Sequence, residues 1–257
     1  MRCVLLTLEY DGTDYVGWQV QPNGPSVQEA LEKALSALLK EPAKVMGAGR
    51  TDSGVHARGQ AASVRTEKSL PLKAFVAGVN SLLPRDIAVL SAQEREDGFD
   101  ARRSARGKIY RYRISNRPSR SPLERRFAWE VFQPLAVEAM ARAGTALLGR
   151  HDFSAFRASD CEANTTVREV RRLEVVRLGE RVDVEIEATA FLKHMVRNIV
   201  GTLVEVGLGR REEASVAQVL AGRDRVKAGV TAPAHGLSLE RVFYEEPVLG
   251  PSKAPTP

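Results

Sequence analysis

Asp52 is the only carboxylate between Glu41 and Glu67, and it sits in the run Gly47-Ala48-Gly49-Arg50-Thr51-Asp52-Ser53-Gly54-Val55-His56-Ala57-Arg58-Gly59-Gln60. Gly47, Gly49, Gly54 and Gly59 allow backbone conformations that other residues resist, so the run reads as a tight loop rather than a linker. An Arg two residues before Asp52 and a Gly two residues after it suit an ionised, approachable carboxylate. A lone Asp beside Gly commonly does no more than cap a turn. The crowding of Gly, Arg and Asp here instead makes Asp52 the leading candidate for chemistry. Ser53 and His56 offer a hydrolase alternative, but Thr51-Asp52-Ser53-Gly54-Val55 lacks the Gly-x-Ser-x-Gly elbow. Three residues of separation also seldom place a base on its nucleophile.

Two further stretches carry charge in a useful pattern. Residues 101–123 hold eight basic side chains (Arg102, Arg103, Arg106, Lys108, Arg111, Arg113, Arg117 and Arg120) and no acid. Strand alternation puts Lys108, Tyr110 and Tyr112 on one face and Arg111 and Arg113 on the other. Interleaved bases and aromatics suit phosphates and stacked nucleobases, although the stretch does not match the RNP1 pattern. The third stretch is Lys193-His194-Met195-Val196-Arg197-Asn198. Four-residue spacing places Lys193 and Arg197 on one helix face. They are either solvated surface residues or, for an Arg reaching Asp52, the means of holding that carboxylate charged. His56, His151, His194 and His235 are scattered, and no HExxH, CxxC, Walker loop or GxGxxG is present. No metal and no cofactor is expected.

The elements that must position these residues follow from periodicity and punctuation. Residues 2–9 read as a buried strand. Ser26-Val27-Gln28-Glu29 is a capping box opening a helix with Leu31, Ala34, Leu35 and Leu38 inward. Strands over 43–46 and 60–65 flank the Asp52 loop, a helix starts at Pro71, and a strand covers 87–90. That order is β-α-β-β-α-β. The second half repeats it: a strand over 108–114, a helix from Pro134, a hairpin over 170–188 turning at Gly179, a helix from Phe191 to about Val206, a shorter one over 212–221 and a strand over 236–243. The expected fold class is α+β, with two tandem ferredoxin-like or RRM-like units in a mixed, mostly antiparallel sheet around a central RNA-binding cleft. The expected boundaries are 1–104, 105–245 and a Pro-rich disordered tail over 246–257. The chain has 257 residues, a formal charge of +6 and a pI near 9.5, which favours polyanionic partners. No run approaches a membrane span and no signal-like segment opens the chain, so a cytoplasmic protein is expected. Cys3 and Cys161 form no disulfide framework.

Gly49 to His56 (Gly-Arg-Thr-Asp-Ser-Gly-Val-His) resembles the signature of the tRNA pseudouridine synthase A family. The resemblance continues at Glu9-Tyr10-Asp11-Gly12, Gly17-Trp18-Gln19, Ser26-Val27-Gln28, Phe99-Asp100-Ala101-Arg102, Tyr110-Arg111-Tyr112, Asp152-Phe153 and His194-Met195-Val196-Arg197-Asn198-Ile199-Val200-Gly201. It is looser over 160–168, where Arg168 still falls at a tRNA-contacting Arg of the family. The resemblance implies a cofactor-free homodimeric isomerase that converts uridine to pseudouridine at nucleotides 38 to 40 of the tRNA anticodon arm. In this picture Asp52 attacks C6 of the uracil or C1′ of the ribose. Arg50 fills the space left by the flipped base, Tyr110 stacks on it and helps manage the C5 proton, and Arg197 pairs with Asp52. Phe99, Arg102, Arg103 and Arg168 are implied RNA contacts. The competing expectation is a non-catalytic RNA-binding or RNA-chaperone protein.

Overall fold

The computed structural model describes residues 1–245; the tail over 246–257, expected to be disordered, lies outside the described residues. Strand β1 (Arg2–Tyr10) sends Val4, Leu6, Leu8 and Tyr10 to one side of the sheet and Cys3 and Leu5 to the other, and all six are buried. Helix α1 (Val27–Leu39) starts where the capping box predicts, with Ser26 Oγ accepting from Glu29 N at 3.2 Å. It lays Val27, Leu31 and Leu35 against the even face of β1. Strand β2 (Val45–Gly47) leads into the Asp52 loop, and β3 (His56–Thr66) leaves it. A helical segment follows, with a π-helical centre over Ala74–Gly78, and then β4 (Ile87–Arg95).

The second half starts with β5 (Gly107–Ser115) and continues through β6 (Trp129–Glu130), α2 (Val137–Gly144) and β7 (Gly149–Asp152). The hairpin β8 (Val167–Leu178) and β9 (Arg181–Ala188) turns at Gly179, whose φ of +63° accounts for a glycine there. Helices α3 (Met195–Gly207) and α4 (Ser215–Gly222) and strand β10 (Leu237–Phe243) complete the described chain.

All ten strands join one sheet in the order β4-β1-β3-β10-β5-β9-β8-β7, with β2 on β3 and β6 on β5. Only β10–β3 and β5–β6 pair in parallel. Within each half the strands run fourth, first, third, second: β4-β1-β3-β2, then β10-β5-β9-β8. The two split βαβ units therefore join edge to edge, through Ser238 and Leu239 of β10 against His56 and Ala57 of β3. That junction lies at the exit of the Asp52 loop.

The two faces of the sheet differ in kind. One carries the helices and the main core, including Tyr110, Tyr112 and Ile114 of β5. Over the second half the other is charged, as the alternation in β9 requires: Arg111 pairs with Glu185 at 2.8 Å and Glu240 at 3.1 Å, and Arg113 lies 3.8 Å from Asp183. Arg117 lies 3.4 Å from Glu180. Three arginines of the basic stretch are thus matched by acids from neighbouring strands and loops, which the stretch read alone does not reveal.

Helix α3 begins four residues later than its apolar stripe predicts. His194 adopts φ +63°, breaking the helix before Met195. Phe191 therefore precedes the helix, and Lys193 shares no helix face with Arg197. Lys193 turns outward to Asp160 at 2.6 Å.

Candidate active site

The Asp52 loop is fixed by its backbone. Ala48 N donates to Ala61 O at 2.7 Å and Gln60 Nε2 to Gly49 O at 2.8 Å, tying the entry strand to the exit strand. On the opposite side Trp18 N donates to Thr51 O at 3.1 Å, and the Tyr10 hydroxyl bonds Thr51 Oγ1 at 2.8 Å. Val55 N donates to Asp52 O at 3.1 Å, closing the turn across Gly54, whose φ is +75°. Gly17, at φ +113°, lets the 12–18 segment approach so closely that a Cβ there would lie 2.5 Å from Thr51 O. With its backbone used in this way, the loop leaves the Asp52 side chain 26 % exposed.

Arg197 approaches from α3. Its Nε donates to Ala232 O at 2.8 Å, which aims the fork so that Nη1 donates to Asp52 Oδ2 at 3.1 Å. The Arg side chain is only 15 % exposed, so the pair is better shielded than an ordinary surface ion pair. Asn198, fully buried, holds the segment that supplies Ala232: its Oδ1 accepts from Arg225 at 3.0 Å and from Thr231 Oγ1 at 2.7 Å. His194 Nε2 lies 3.5 Å from the same Asp52 oxygen. Burial holds the His194 pKa below the usual histidine value despite the attraction of Asp52, so the ring is neutral near pH 7.

Tyr110 completes the cluster from β5. Its ring is buried and meets Phe191 edge-on, with centroids 4.9 Å apart. Burial raises its pKa well above the usual phenol value, with Tyr10 and the Asp52 charge adding to the effect. The phenol keeps its proton and has no recorded hydrogen-bond partner among the described residues. The position of Phe191 explains why the helix starts late: residues 191–194 form an irregular turn that brings an aromatic edge and an imidazole to the site.

Asp52, Arg197 and Tyr110 therefore converge, although they come from the first unit, the α3 helix and the β5 strand of the second. Arg50 is exposed two residues from Asp52. Arg102 and Arg103 are exposed on the loop between β4 and β5, where both of their backbone N–H groups donate to Asp100 Oδ1 at 2.8 Å. Phe99 is buried with Cys3, Leu5 and Ala101, and its ring packs against Tyr244 at 5.1 Å and under Arg95 at 5.3 Å. It holds the arginine loop from inside rather than offering a face for stacking. Arg168 is half-buried, with Nη1 donating to Thr165 O at 2.9 Å and Val167 O at 2.6 Å.

Sequence reasoning missed His194 as a neighbour of the carboxylate and Phe191 as the partner of Tyr110; their only signal is that they lie shortly before Arg197 in the chain. The hydrolase alternative fails on geometry. Ser53 Oγ donates to Tyr15 O at 3.2 Å, while His56 Nδ1 accepts from Gly12 N at 3.0 Å. That bond leaves the proton on Nε2, which lies 2.8 Å from Arg126 O and 3.1 Å from His235 O. His56 is a pin between three segments, with no free nitrogen to act as a base. Among the described residues no group of three His, Cys, Asp or Glu side chains could hold a metal, and no helix is long and apolar enough to cross a membrane.

Comparison with known proteins bears on what this arrangement does. The family described as tRNA pseudouridine synthase matches residues 7–102 and 143–245. A tRNA pseudouridine synthase A of Myxococcus xanthus is 60% identical over 94% of this chain and 91% of its own length. Its counterpart in Pelobacter propionicus is 53% identical over 95% of this chain and its full length, and that of Geobacter sulfurreducens 50% over the same spans. Among solved structures, one chain of a Cbf5-Nop10-Gar1 complex aligns with 92% of this chain and 48% of its own, at 12% identity and a TM-score of 0.38, too loose an overlap to carry weight.

Proposed function

The chain belongs to the tRNA pseudouridine synthase family, and we propose that Asp52 drives its reaction on uridines 38 to 40 of the tRNA anticodon arm. The protein is an isomerase that converts uridine to pseudouridine in tRNA. The observation that carries the proposal is the Arg197–Asp52 pair at 3.1 Å beside a protonated Tyr110, near the strands through which the two units join.

In the reaction the N1–C1′ glycosidic bond breaks, a C5–C1′ bond forms, the C5 proton leaves and a proton ends on N1. The change is an isomerisation, and no outside oxidant or reductant enters. Asp52 supplies the nucleophile, at C6 of the base or C1′ of the sugar, and Arg197 fixes its direction. The target base leaves its stack at a cost of about a few kcal/mol. Arg50, exposed at the lip, fills the gap it leaves. The Tyr110 ring stacks on the extruded uracil, and its hydroxyl stands where the C5 proton must be handled. Arg102, Arg103 and Arg168 hold phosphates, and Phe99 supports the loop that carries the first two. The active species is a homodimer in the cytoplasm, as the family resemblance implies.

Mapping pseudouridine in an unmodified tRNA transcript with uridine at 38, 39 and 40 tests the assignment. New pseudouridine at those positions, absent with Asp52→Asn, is expected. Modification confined to another arm of the tRNA would overturn the choice of substrate site, and full modification by Asp52→Asn the choice of nucleophile.

A further inference from the structure

Lys108 has no counterpart among the ion pairs that neutralise its neighbours on β5. Arg111 and Arg113 face acids on the charged side of the sheet. Lys108 points to the other side, with Tyr110, and its amine lies along the backbone of the Asp52 loop. A Cβ on Gly49 would lie 2.7 Å from Lys108 Nζ and 3.4 Å from Cε, so the amine occupies the space that a side chain at residue 49 would take. Lys108 pairs across the sheet with Ala188 of β9, which pairs with Val170 of β8. Arg168, two residues before Val170, falls on the same face by strand alternation. Arg102 approaches from the loop before β5, and Arg102 and Arg168 are the charged groups whose fields Lys108 feels. Lys108 makes no salt bridge or hydrogen bond among the described residues. Beside it, Arg168 Nε is a buried N–H without an acceptor, and a buried donor left unpaired calls for a missing acceptor.

We propose that Lys108, with Arg168 and Arg102, forms the seat of one backbone phosphate of the RNA, directly behind the loop that carries Asp52. The inference rests on the RNA-modifying reading above and deepens it by naming a residue and a phosphate position. Strand rise sets Lys108 about 7 Å from Tyr110 along β5, a span within the reach of one nucleotide. A phosphate held there anchors the backbone beside the uracil that Tyr110 receives. Its oxygens accept from the Lys108 amine and from Arg168 Nε–H, a buried guanidinium donor without a partner among the described residues. Burial, with the fields of Arg102 and Arg168, lowers the Lys108 pKa to about 8. A phosphate reverses that balance, so RNA binding takes up a proton when the free amine is partly neutral. The charged groups that bear on the Lys108 amine are Arg102 and Arg168; Arg171, whose Nη1 lies by Gly107, faces Glu187. Asp100, the carboxylate of the loop that carries Arg102, already accepts from the Arg102 and Arg103 backbone.

The test is equilibrium binding of an unmodified tRNA to the full chain, read separately from turnover, across a salt series and at about pH 7 and about pH 9.5. Lys108→Met is expected to weaken binding about tenfold and to flatten the salt dependence by about one counterion. Lys108→Arg keeps the charge and restores both. The wild-type protein binds more weakly at the higher pH, and Lys108→Arg does not. An unchanged dissociation constant and salt slope in a folded Lys108→Met protein would overturn the proposal. If that variant does not fold, a wild-type affinity that is flat with pH overturns it instead. Binding is measured without chemistry, so a protein that binds tRNA through Lys108 but makes no pseudouridine would count against Asp52 and leave the seat standing. Normal turnover with an indifferent Lys108 would count against the seat alone.

Discussion

Asp52 works through the groups that touch it, and each can be changed with a distinct expected result. Arg197→Lys keeps a positive charge but cannot hold both Ala232 O and Asp52 Oδ2 from a rigid fork, as the guanidinium does at 2.8 and 3.1 Å. We expect kcat to fall about 100-fold with tRNA affinity little changed, because the lost geometry matters at the reacting atoms. A loss confined to KM would show that Arg197 serves binding instead. Tyr110→Phe preserves the edge contact with Phe191 and removes only the hydroxyl. If the hydroxyl handles the proton, this variant loses about 100-fold in rate, whereas a purely stacking role leaves single-turnover rates near wild type. Asp52 was legible because a lone carboxylate amid glycines is unusual in type and context. His194 beside Asp52 and Phe191 against Tyr110 were not, because their places depend on a left-handed residue that no hydrophobic period encodes. Phe99 was legible as a motif position, but its burial against Tyr244, Cys3 and Leu5 depends on chain distant in sequence.

The elements are held at the site by close backbone approaches at particular glycines. Gly201 lies in the middle of α3, where a Cβ would run into the carbonyl of Val230, in the segment that ends at Ala232. Gly201→Ala should cost about 3 kcal/mol or more, as overpacking against backbone does. It should also slow catalysis by displacing the carbonyl that aims Arg197. Urea unfolding reads the first effect and single-turnover kinetics the second; a variant with native stability would show that the segment yields easily. Helix α1 and the β8–β9 hairpin were readable because a capping box and a Gly turn are local signals. The start of α3 was not, since the apolar stripe from Phe191 continues through a turn that tertiary contacts break. The basic stretch divides for a related reason: strand alternation gives its two faces, but only register against β9 and β10 shows that Arg111 has acids waiting.

Across the whole molecule the two units are locked at the β3–β10 junction, and His56 ties Gly12, Arg126 and His235 together beside it. Burial holds the His56 pKa below the usual histidine value despite the pull of Asp11, and burial does the same for His194 and His235. The folded state therefore binds fewer protons than the unfolded chain. The associated stability is present above about pH 6.5 and is lost as the pH falls through the folded values. Melting temperature should drop on acidification from about pH 7 to about pH 5, and less steeply in His56→Gln. An equal slope in that variant would place the acid sensitivity elsewhere. The repeat of β-α-β-β-α-β, and with it an edge-to-edge joining of the two sheets, was legible from element order, while the two residue pairs that make the junction leave no mark in the sequence. The measurement that bears most directly on the whole account uses tRNA labelled with tritium at C5 of uridine, without added metal or cofactor. Wild-type protein should release tritium to water, and Asp52→Asn should release none while binding the tRNA with comparable affinity. Release undiminished in Asp52→Asn, or no release by a wild-type protein that binds tRNA tightly, would contradict it.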